Sequence, residues 1–139
     1  MSSVYTAVAT ATGDGRNGHT RSSDGLIDLD LAIPKEMGGA GGATNPEQLF
    51  AAGYSACFQG ALGVTARKRG VDTATSLVTA EVGIGKHGGA FALAVTLRVV
   101  IPGVELDVVQ QLAEEAHEVC PYSRAIRGNV PVSITAVAA

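Results

Sequence analysis

Residues 45–70 read NPEQLFAAGYSACFQGALGVTARKRG, a pattern that predicts one long helix. Asn45 is a favourable N-cap, Pro46 suits the first helical position, and Glu47 complements the positive end of the helix dipole. Apolar and small residues recur at helical spacing and form one broad stripe. The stripe consists of Leu49, Phe50, Gly53, Ala56, Cys57, Gly60, Ala61 and Val64. Its small residues favour close contact with another helix.

Strands and a second helix are predicted on either side of this segment. Strands are expected at 4–11 and 26–33, and two further strands should flank a five-residue turn at 85–89. An amphipathic helix is expected at 106–119 and a last strand at 130–137. The order of strands, helix, hairpin, helix and strand predicts an α+β fold.

The composition is that of one folded domain, residues 1–139. Hydrophobic residues make up 46% of the chain and charged residues 17%, which is typical of a chain with a core. Aromatic residues make up only 4% and tryptophan is absent, so we expect some apolar surface to be shared with a second subunit. The net charge of −3 argues against a protein that binds duplex nucleic acid.

The sequence also argues against a membrane protein. No apolar stretch approaches the ~20 residues that span a bilayer, and residues 1–5 lack the basic and apolar regions of a signal peptide. We therefore expect a cytoplasmic protein with no membrane or nucleic-acid partner. In that compartment lasting structural disulfides are rare, which favours reactive cysteines.

The chain has two cysteines, Cys57 and Cys120, and they are 63 positions apart. This separation excludes a CxxC motif, whereas it suits a redox cycle in which one thiolate attacks and the other resolves the product as a disulfide. A second interpretation stays open, because a lone cysteine is more often a small buried hydrophobe than a nucleophile. No metal site is expected, since the three histidines have no second ligand at metal spacing. They are His19, His87 and His117.

A nucleophilic Cys57 would need a cation nearby, because a thiol pKa near 8.5 leaves only a few per cent of thiolate at neutral pH. Cys57 lies about 18 Å beyond Asn45 along the helix, too far for the helix N-terminus to activate it. Arg16, in the glycine-rich turn 13–19, is the best candidate, with Glu47 as the carboxylate that fixes its guanidinium. The alternatives are a solvated arginine and a glutamate that only complements the helix dipole.

Three segments together resemble the organic hydroperoxide resistance proteins, a branch of the OsmC-like thiol peroxidases. The segments are DGRNG at 14–18, GATNPEQLFAAGYSACF at 42–58, and VCPYS at 119–123 with RGN at 127–129. The resemblance extends from residue 5 to the last predicted strand. It implies an OsmC-like α+β fold with antiparallel sheets, a long central helix and a second helix, in an intertwined dimer.

The resemblance also implies a reaction and its residues. Cys57 corresponds to the peroxidatic cysteine and Cys120 to the resolving cysteine. Arg16 corresponds to the active-site arginine, and Glu47 to the glutamate that orients it. The implied enzyme is a peroxidase that reduces organic hydroperoxides to alcohols through a Cys57 sulfenic acid and a Cys57–Cys120 disulfide. A dithiol would reopen the disulfide, with lipoyl groups of a partner protein as the expected reductant, and no metal, haem or flavin cofactor is implied.

An apolar substrate pocket near Cys57 is expected as well. We assign to it Phe50, Phe58, Tyr122 and Ile126. Ile126 departs from the family pattern, in which a polar residue is expected at this place. Two alternatives remain: an OsmC-type peroxidase with another substrate preference, and a non-catalytic dimeric module in which both cysteines only pack.

The spacing of Glu47 and Cys57 predicts a site shared between subunits. The two residues are 10 positions apart, hence about 15 Å along a straight helix and roughly 80° apart around it. One arginine fork can touch both groups only if they lie within some 6–8 Å of each other, at ~3 Å per hydrogen bond. An antiparallel helix of a two-fold partner meets this condition. We therefore expect a homodimer in which Glu47 and Arg16 come from the neighbouring subunit.

Overall fold

The computed structural model describes residues 1–139 as two three-stranded sheets and three α-helices. The elements are β1 (Ala9–Thr12), β2 (His19–Ser22), β3 (Asp28–Asp30), α1 (Pro46–Arg67), β4 (Leu77–His87), β5 (Ala90–Val100), α2 (Leu106–Val119), α3 (Pro121–Ile126) and β6 (Val132–Ala136). Two short 3-10 helices cover Gly15–Asn17 and Lys35–Met37. The predicted α+β class is confirmed. The chain forms two compact units, Met1–Leu49 and Phe50–Ala139.

Helix α1 begins as the sequence predicts. The Asn45 side chain accepts a hydrogen bond of 2.9 Å from the Gln48 N–H, one of the donors that has no partner within the helix. The helix ends at Arg67, three residues before the predicted end. Gly70 follows with a φ of 69°, a left-handed backbone that favours glycine.

The buried face of α1 differs from the predicted stripe. Its buried residues are Tyr54, Phe58, Ala61, Leu62, Thr65 and Ala66. Gly60 and Val64, which the stripe included, are exposed in the chain. The predicted stripe did not include Tyr54, whereas the Tyr54 hydroxyl has a buried hydrogen-bond partner and the side chain can therefore enter the core.

The first unit contains a small antiparallel sheet in the order β1-β2-β3. Strands β1 and β3 are shorter than the predicted strands at 4–11 and 26–33. Strand β2 was not predicted, and it begins at His19, the last residue of the predicted glycine-rich turn. Strand β2 has only four residues, and this limits the length over which β1 and β3 can pair with it. Ile27 and Leu29 are 45% and 39% exposed, so this sheet leaves apolar side chains uncovered in the chain.

The second unit contains a mixed sheet in the order β4-β5-β6. Strands β4 and β5 form a long hairpin whose loop is only Gly88 and Gly89, because His87 pairs with Ala90. Both glycines have positive φ, as a tight two-residue hairpin turn requires. The predicted five-residue turn was therefore too long. The expectation of antiparallel sheets was wrong for β6, which runs parallel to β5 after the crossover through α2 and α3.

The core of the second unit lies between this sheet and the helices. Alternate residues of β5 face it, with Leu97 and Val99 fully buried. Helix α2, confirmed with its predicted bounds, buries Leu112 and Ala116 against the same core. Helix α3 was not predicted, because a proline directly after a predicted helix favours its end, whereas Pro121 is also the first residue of α3. No helix of the chain combines the length and the apolar character needed to cross a bilayer.

Candidate active site

The second unit brings the two cysteines into contact. Cys57 lies in the middle of α1 and is partly buried, whereas Cys120 is fully buried. Cys120 has extended backbone and forms the corner between α2 and α3, so its side chain is set by the ends of both helices. The two sulfur atoms are 3.7 Å apart and both thiols are free. At this separation one sulfur can attack an oxidised partner after only a small movement.

Aromatic packing holds α1 against this corner. Tyr54 stacks on Phe58 with ring centroids 6.4 Å apart, and it meets Tyr122 edge-on at 5.8 Å. Gly53 allows the close approach, because a Cβ at this position would lie 3.0 Å from the Tyr122 hydroxyl oxygen. The packing therefore fixes α3, and with it Cys120, over the middle of α1.

The environment of Cys57 within this unit disfavours its thiolate. Burial raises the pKa of the Cys57 thiol above its ordinary value, a backbone hydrogen bond from Tyr122 acts in the opposite direction, and the neighbouring Cys120 raises the pKa further. None of these three influences on the Cys57 pKa comes from a cation. A reactive Cys57 thus requires a positive charge in addition to the groups that pack around it.

A fixed cation is found in the first unit. Arg16 lies in the 3-10 turn Gly15–Asn17, and Glu47 lies in the first turn of α1. The guanidinium donates two hydrogen bonds to the carboxylate: Nη1 to Oε2 at 2.9 Å and Nη2 to Oε1 at 2.7 Å. Pairing with Glu47 raises the pKa of Arg16, and pairing with Arg16 lowers the pKa of Glu47. The structure thus brings these two predicted residues together in a bidentate ion pair.

The turn that carries Arg16 is itself held in place. The Asn17 side-chain oxygen accepts a hydrogen bond of 3.1 Å from the Ile33 N–H. One residue later, the Gly18 carbonyl accepts a bond of 2.9 Å from the Leu31 N–H. Gly15 supplies the positive φ that the turn needs. No role was assigned to Asn17 from the sequence, although it lies in the segment DGRNG at 14–18 that carries part of the family resemblance.

The four residues assigned to the pocket differ in accessibility. Phe50 is partly buried and packs against Tyr54 and Tyr122, with centroids 5.8 and 6.1 Å away. Tyr122 is 40% exposed, whereas Phe58 is fully buried in the core. Ile126 is partly buried and packs on the same core. Phe50 and Tyr122 therefore present apolar surface on the side of α1 that carries Cys57, and Phe58 supports the helix from beneath.

The sequence did not identify a buried polar chain beside the cysteines. The Tyr54 hydroxyl lies 2.6 Å from the Ser123 hydroxyl, and the same Ser123 oxygen lies 2.8 Å from Nδ1 of His117. His117, Cys120 and Ser123 recur at intervals of three positions, a regular spacing that could have drawn attention to them. The three histidines do not form a metal centre with acidic or thiol groups, since the chain contains no group of three or more such ligands placed to hold an ion.

Comparison with known proteins identifies relatives along nearly the whole chain. Residues 39–135 match the family model described as OsmC-like protein. An organic hydroperoxide resistance protein of Xanthomonas axonopodis pv. citri is 49% identical over 134 residues, which cover 95% of this chain and 94% of the relative. The relative OhrB of Bacillus subtilis is 43% identical and covers 94% of this chain and 96% of its own length.

Solved structures agree with these sequence relatives. An organic hydroperoxide resistance protein from Elizabethkingia anophelis superposes with a TM-score of 0.91 at 48% identity, and 100% of each chain is covered. A similar protein from Legionella pneumophila gives a TM-score of 0.89 at 48% identity, covering 97% of this chain and 98% of its own.

The ion pair of Arg16 and Glu47 leads to a prediction about stability and pH. Glu47→Gln should unfold more easily than the wild type at neutral pH, by no more than about 1 kcal/mol because Arg16 is partly exposed to solvent. Since the pKa of Glu47 is lowered in the folded chain, the stabilisation is complete above the ordinary glutamate pKa and is lost as the pH falls through the lowered pKa. Urea unfolding over this pH range measures the difference.

Glu36 provides the control. Glu36→Gln also removes a carboxylate from the first unit, but the Glu36 side chain is exposed to solvent. This variant should follow the wild type at every pH. A stability difference between Glu47→Gln and the wild type that stays constant down to acidic pH would show that the ion pair is not its source.

Proposed function

The chain belongs to the OsmC-like proteins and, among them, to the organic hydroperoxide resistance proteins, and on this basis we propose that it is a cysteine-based peroxidase. Its substrates are organic hydroperoxides, ROOH, which it reduces to the alcohols ROH. The observation that carries the proposal is the contact of the Cys57 and Cys120 sulfur atoms at 3.7 Å. Two free thiols at this distance, one partly accessible and one buried, suit a nucleophile and a resolving partner.

The cycle has two chemical steps within the protein. The Cys57 thiolate attacks the distal oxygen of ROOH, the O–O bond breaks, and the alkoxide leaves as ROH after taking up a proton. Cys57 is then a sulfenic acid. Cys120 attacks its sulfur, the S–O bond breaks, and water leaves as the Cys57–Cys120 disulfide forms.

Recovery of the thiols requires two electrons from outside the chain. A dithiol supplies them by thiol–disulfide exchange and is itself oxidised to a disulfide. By the family resemblance, the proposed reductant is a lipoyl group on a partner protein, and the proposed enzyme has no resident cofactor. The proposed setting is the cytoplasm, where such a reversible disulfide is more common than a structural one.

Activation of Cys57 is assigned to the ion pair of Arg16 and Glu47 from a second subunit. Cys57 needs a cation to offset the burial that raises its thiol pKa, and Arg16 is held rigidly enough by its two bonds to Glu47 to supply one. Because α1 is one continuous helix, Glu47 and Cys57 of one chain are separated by about 15 Å along it. An ion pair of the partner subunit is not held at this distance from Cys57, because its Glu47 lies on a different helix.

Surface composition supports the homodimer that this assignment needs. Ala52, Ala56, Gly60 and Val64 form a row of exposed small and apolar residues at four-residue spacing on α1. Such a row permits close approach of a second helix. The uncovered Ile27 and Leu29 of the first sheet add apolar surface that a second copy of the chain would bury.

Replacement of each cysteine should interrupt peroxide reduction at a different step. Cys57→Ser should abolish peroxide reduction, because an alcohol is not ionised at neutral pH. Cys120→Ser should consume about one equivalent of cumene hydroperoxide and then stop as a sulfenic acid. Counting free thiols against added peroxide measures both outcomes.

In the wild type, one equivalent should remove both thiols as a single intramolecular disulfide. Multiple turnovers by Cys57→Ser would show that another residue is the nucleophile. Full retention of both wild-type thiols would favour the non-catalytic module in which the cysteines only pack.

Bulky organic hydroperoxides should be better substrates than hydrogen peroxide. An alkyl or aryl tail gains about 25 cal/mol for each Å² that it buries, and hydrogen peroxide has no tail. Cumene hydroperoxide should therefore have a higher kcat/KM than hydrogen peroxide. Phe50→Ala should reduce the ratio of these two kcat/KM values. The exposed Phe91 provides the control, since Phe91→Ala removes an aromatic ring from a hairpin strand instead. Equal or greater efficiency with hydrogen peroxide would contradict the substrate assignment.

A site shared between subunits can be tested by complementation. Cys57→Ser and Arg16→Ala chains, each inactive alone, should regain activity when they are unfolded and refolded together. One site of each mixed dimer is then complete, so random mixing should restore about a quarter of the wild-type activity. Verified mixed dimers without activity would show that Arg16 does not act across the interface.

A further inference from the structure

Three polar side chains connect the three helices that meet at the two cysteines. The Tyr54 and Ser123 hydroxyl oxygens are 2.6 Å apart, and Nδ1 of His117 lies 2.8 Å from the Ser123 oxygen. Tyr54 lies on α1, His117 on α2 and Ser123 on α3. We call these three residues the corner network, because His117 and Ser123 lie three positions before and three positions after Cys120. The network therefore joins both sides of the Cys120 corner to the helix that carries Cys57.

A second contact holds the corner from its outer side. The Arg127 guanidinium, directly after α3, donates a hydrogen bond of 2.6 Å to the His117 carbonyl and lies 3.6 Å from the Glu118 carboxylate. The His117 carbonyl is in the last turn of α2, where carbonyl groups have no partner within the helix. Arg127 thus joins α3 to α2, whereas the corner network also reaches α1.

The hydrogen-bonding capacity of the corner network determines where its protons lie. Tyr54 and Ser123 are fully buried, and neither hydroxyl has a further hydrogen-bond partner. With Nδ1 of His117 unprotonated, the Tyr54 hydroxyl donates to the Ser123 oxygen and the Ser123 hydroxyl donates to Nδ1. With Nδ1 protonated, the ring can only donate there, so one of the two buried hydroxyl hydrogens loses its acceptor, which burial makes unfavourable. The network is therefore complete only when Nδ1 carries no proton.

We propose that the corner network positions Cys120 for disulfide formation, and that it does so only while Nδ1 of His117 is unprotonated. This inference rests on the proposed function and concerns its second chemical step. In that step the Cys120 sulfur attacks the sulfur of the Cys57 sulfenic acid, the S–S bond forms and the S–O bond breaks. The Cys120 proton and the departing hydroxide leave together as one water. The network exchanges no atom with the cysteines and acts through the position of Cys120.

The position of Cys120 matters because the two sulfur atoms must move closer to react. They are 3.7 Å apart, whereas a disulfide bond is about 2 Å long. Cys120 has extended backbone, with φ −60° and ψ 125°, and no side-chain cap holds either helix end at this residue. The direction of its side chain therefore follows the angle between α2 and α3. A misplacement of about 1 Å can slow a reaction by about 100-fold, so a loosened corner should slow this step.

The surroundings of His117 favour the form that the network requires. Burial lowers the pKa of its imidazole, and so does the positive charge of Arg127, while Glu118 on α2 acts in the opposite direction. Tyr54, which contributes the hydroxyl from α1, stays neutral because burial raises its pKa. The imidazole is therefore neutral above its lowered pKa, and the network is lost as the pH falls through that value.

Rates of the two chemical steps test the positioning role. Protein reacts with one equivalent of cumene hydroperoxide and is quenched at successive times, and mass spectrometry counts sulfenic acid and disulfide. Ser123→Ala and Tyr54→Phe should each slow disulfide formation about tenfold and change sulfenic acid formation less than about twofold. Tyr54→Phe keeps the ring and its packing, so it decides the question if Ser123→Ala does not fold. The exposed Tyr5 provides the control, and Tyr5→Phe should match the wild type in both steps.

The protonation of His117 gives a signature that a merely structural role would not produce. Nitrogen NMR of the imidazole should show the neutral ring with its proton on Nε2 at neutral pH. Ser123→Ala should raise the His117 pKa, because the hydrogen bond from Ser123 favours the neutral ring. As the pH falls through the wild-type value, disulfide formation in the wild type should slow about tenfold relative to His117→Asn, whose amide oxygen accepts a hydrogen bond without titrating.

Any one of four results would overturn the positioning role. They are a disulfide step as fast as that of the wild type in Tyr54→Phe, a proton on Nδ1 of neutral His117, equal slowing of both steps in the variants, and a ratio of wild-type to His117→Asn rates that does not change with pH. Failure of the proposed function has a different signature, because the wild type would then form neither sulfenic acid nor disulfide.

Discussion

The packing of α1 against the corner between α2 and α3 is the constraint on which the candidate site depends. Tyr54 and Phe58 fill the space beneath this corner and are completely buried, and Gly53 leaves room for the Tyr122 ring. Because the corner residue is Cys120, the same packing that forms the core also brings the two sulfur atoms to 3.7 Å. The contact of Cys57 with Cys120 is therefore a consequence of the folding of the second unit.

The same burial disfavours the charged, nucleophilic form of the Cys57 thiol. Burial in a core disfavours charge, so it raises the pKa of the Cys57 thiol. The Cys120 thiol is completely buried. Arg16, fixed by Glu47, is a cation that keeps its charge at any physiological pH. In our proposal, the Arg16 of a second subunit offsets the effect of burial and assists the attack of Cys57 on peroxide.

The parts of this structure that could be predicted from the sequence depend on local signals or on the family resemblance. Asn45 and Pro46 mark the start of α1 through capping chemistry alone, and the α2 bounds follow from its apolar period. Other features depend on contacts between distant residues. Burial of Tyr54 requires a partner 69 positions away, and the parallel pairing of β6 requires knowledge of where the crossover returns. Pro121 can end one helix or begin another, and here it begins α3 directly after the end of α2. The contact of the cysteines was implied by the resemblance, and it follows physically only from the packing of three helices.

In our proposal Cys57 is a nucleophile activated by Arg16, and the rate of Cys57 alkylation as a function of pH is the sharpest test of this activation. Iodoacetamide reacts with the thiolate, so a Cys120→Ser background reports Cys57 alone. If Arg16 activates Cys57, Arg16→Ala should move the midpoint of the alkylation profile to higher pH. Arg16→Lys should reverse only part of this shift, since an ammonium lacks the fork geometry of a guanidinium. Identical profiles with and without Arg16 would show that Arg16 does not activate Cys57.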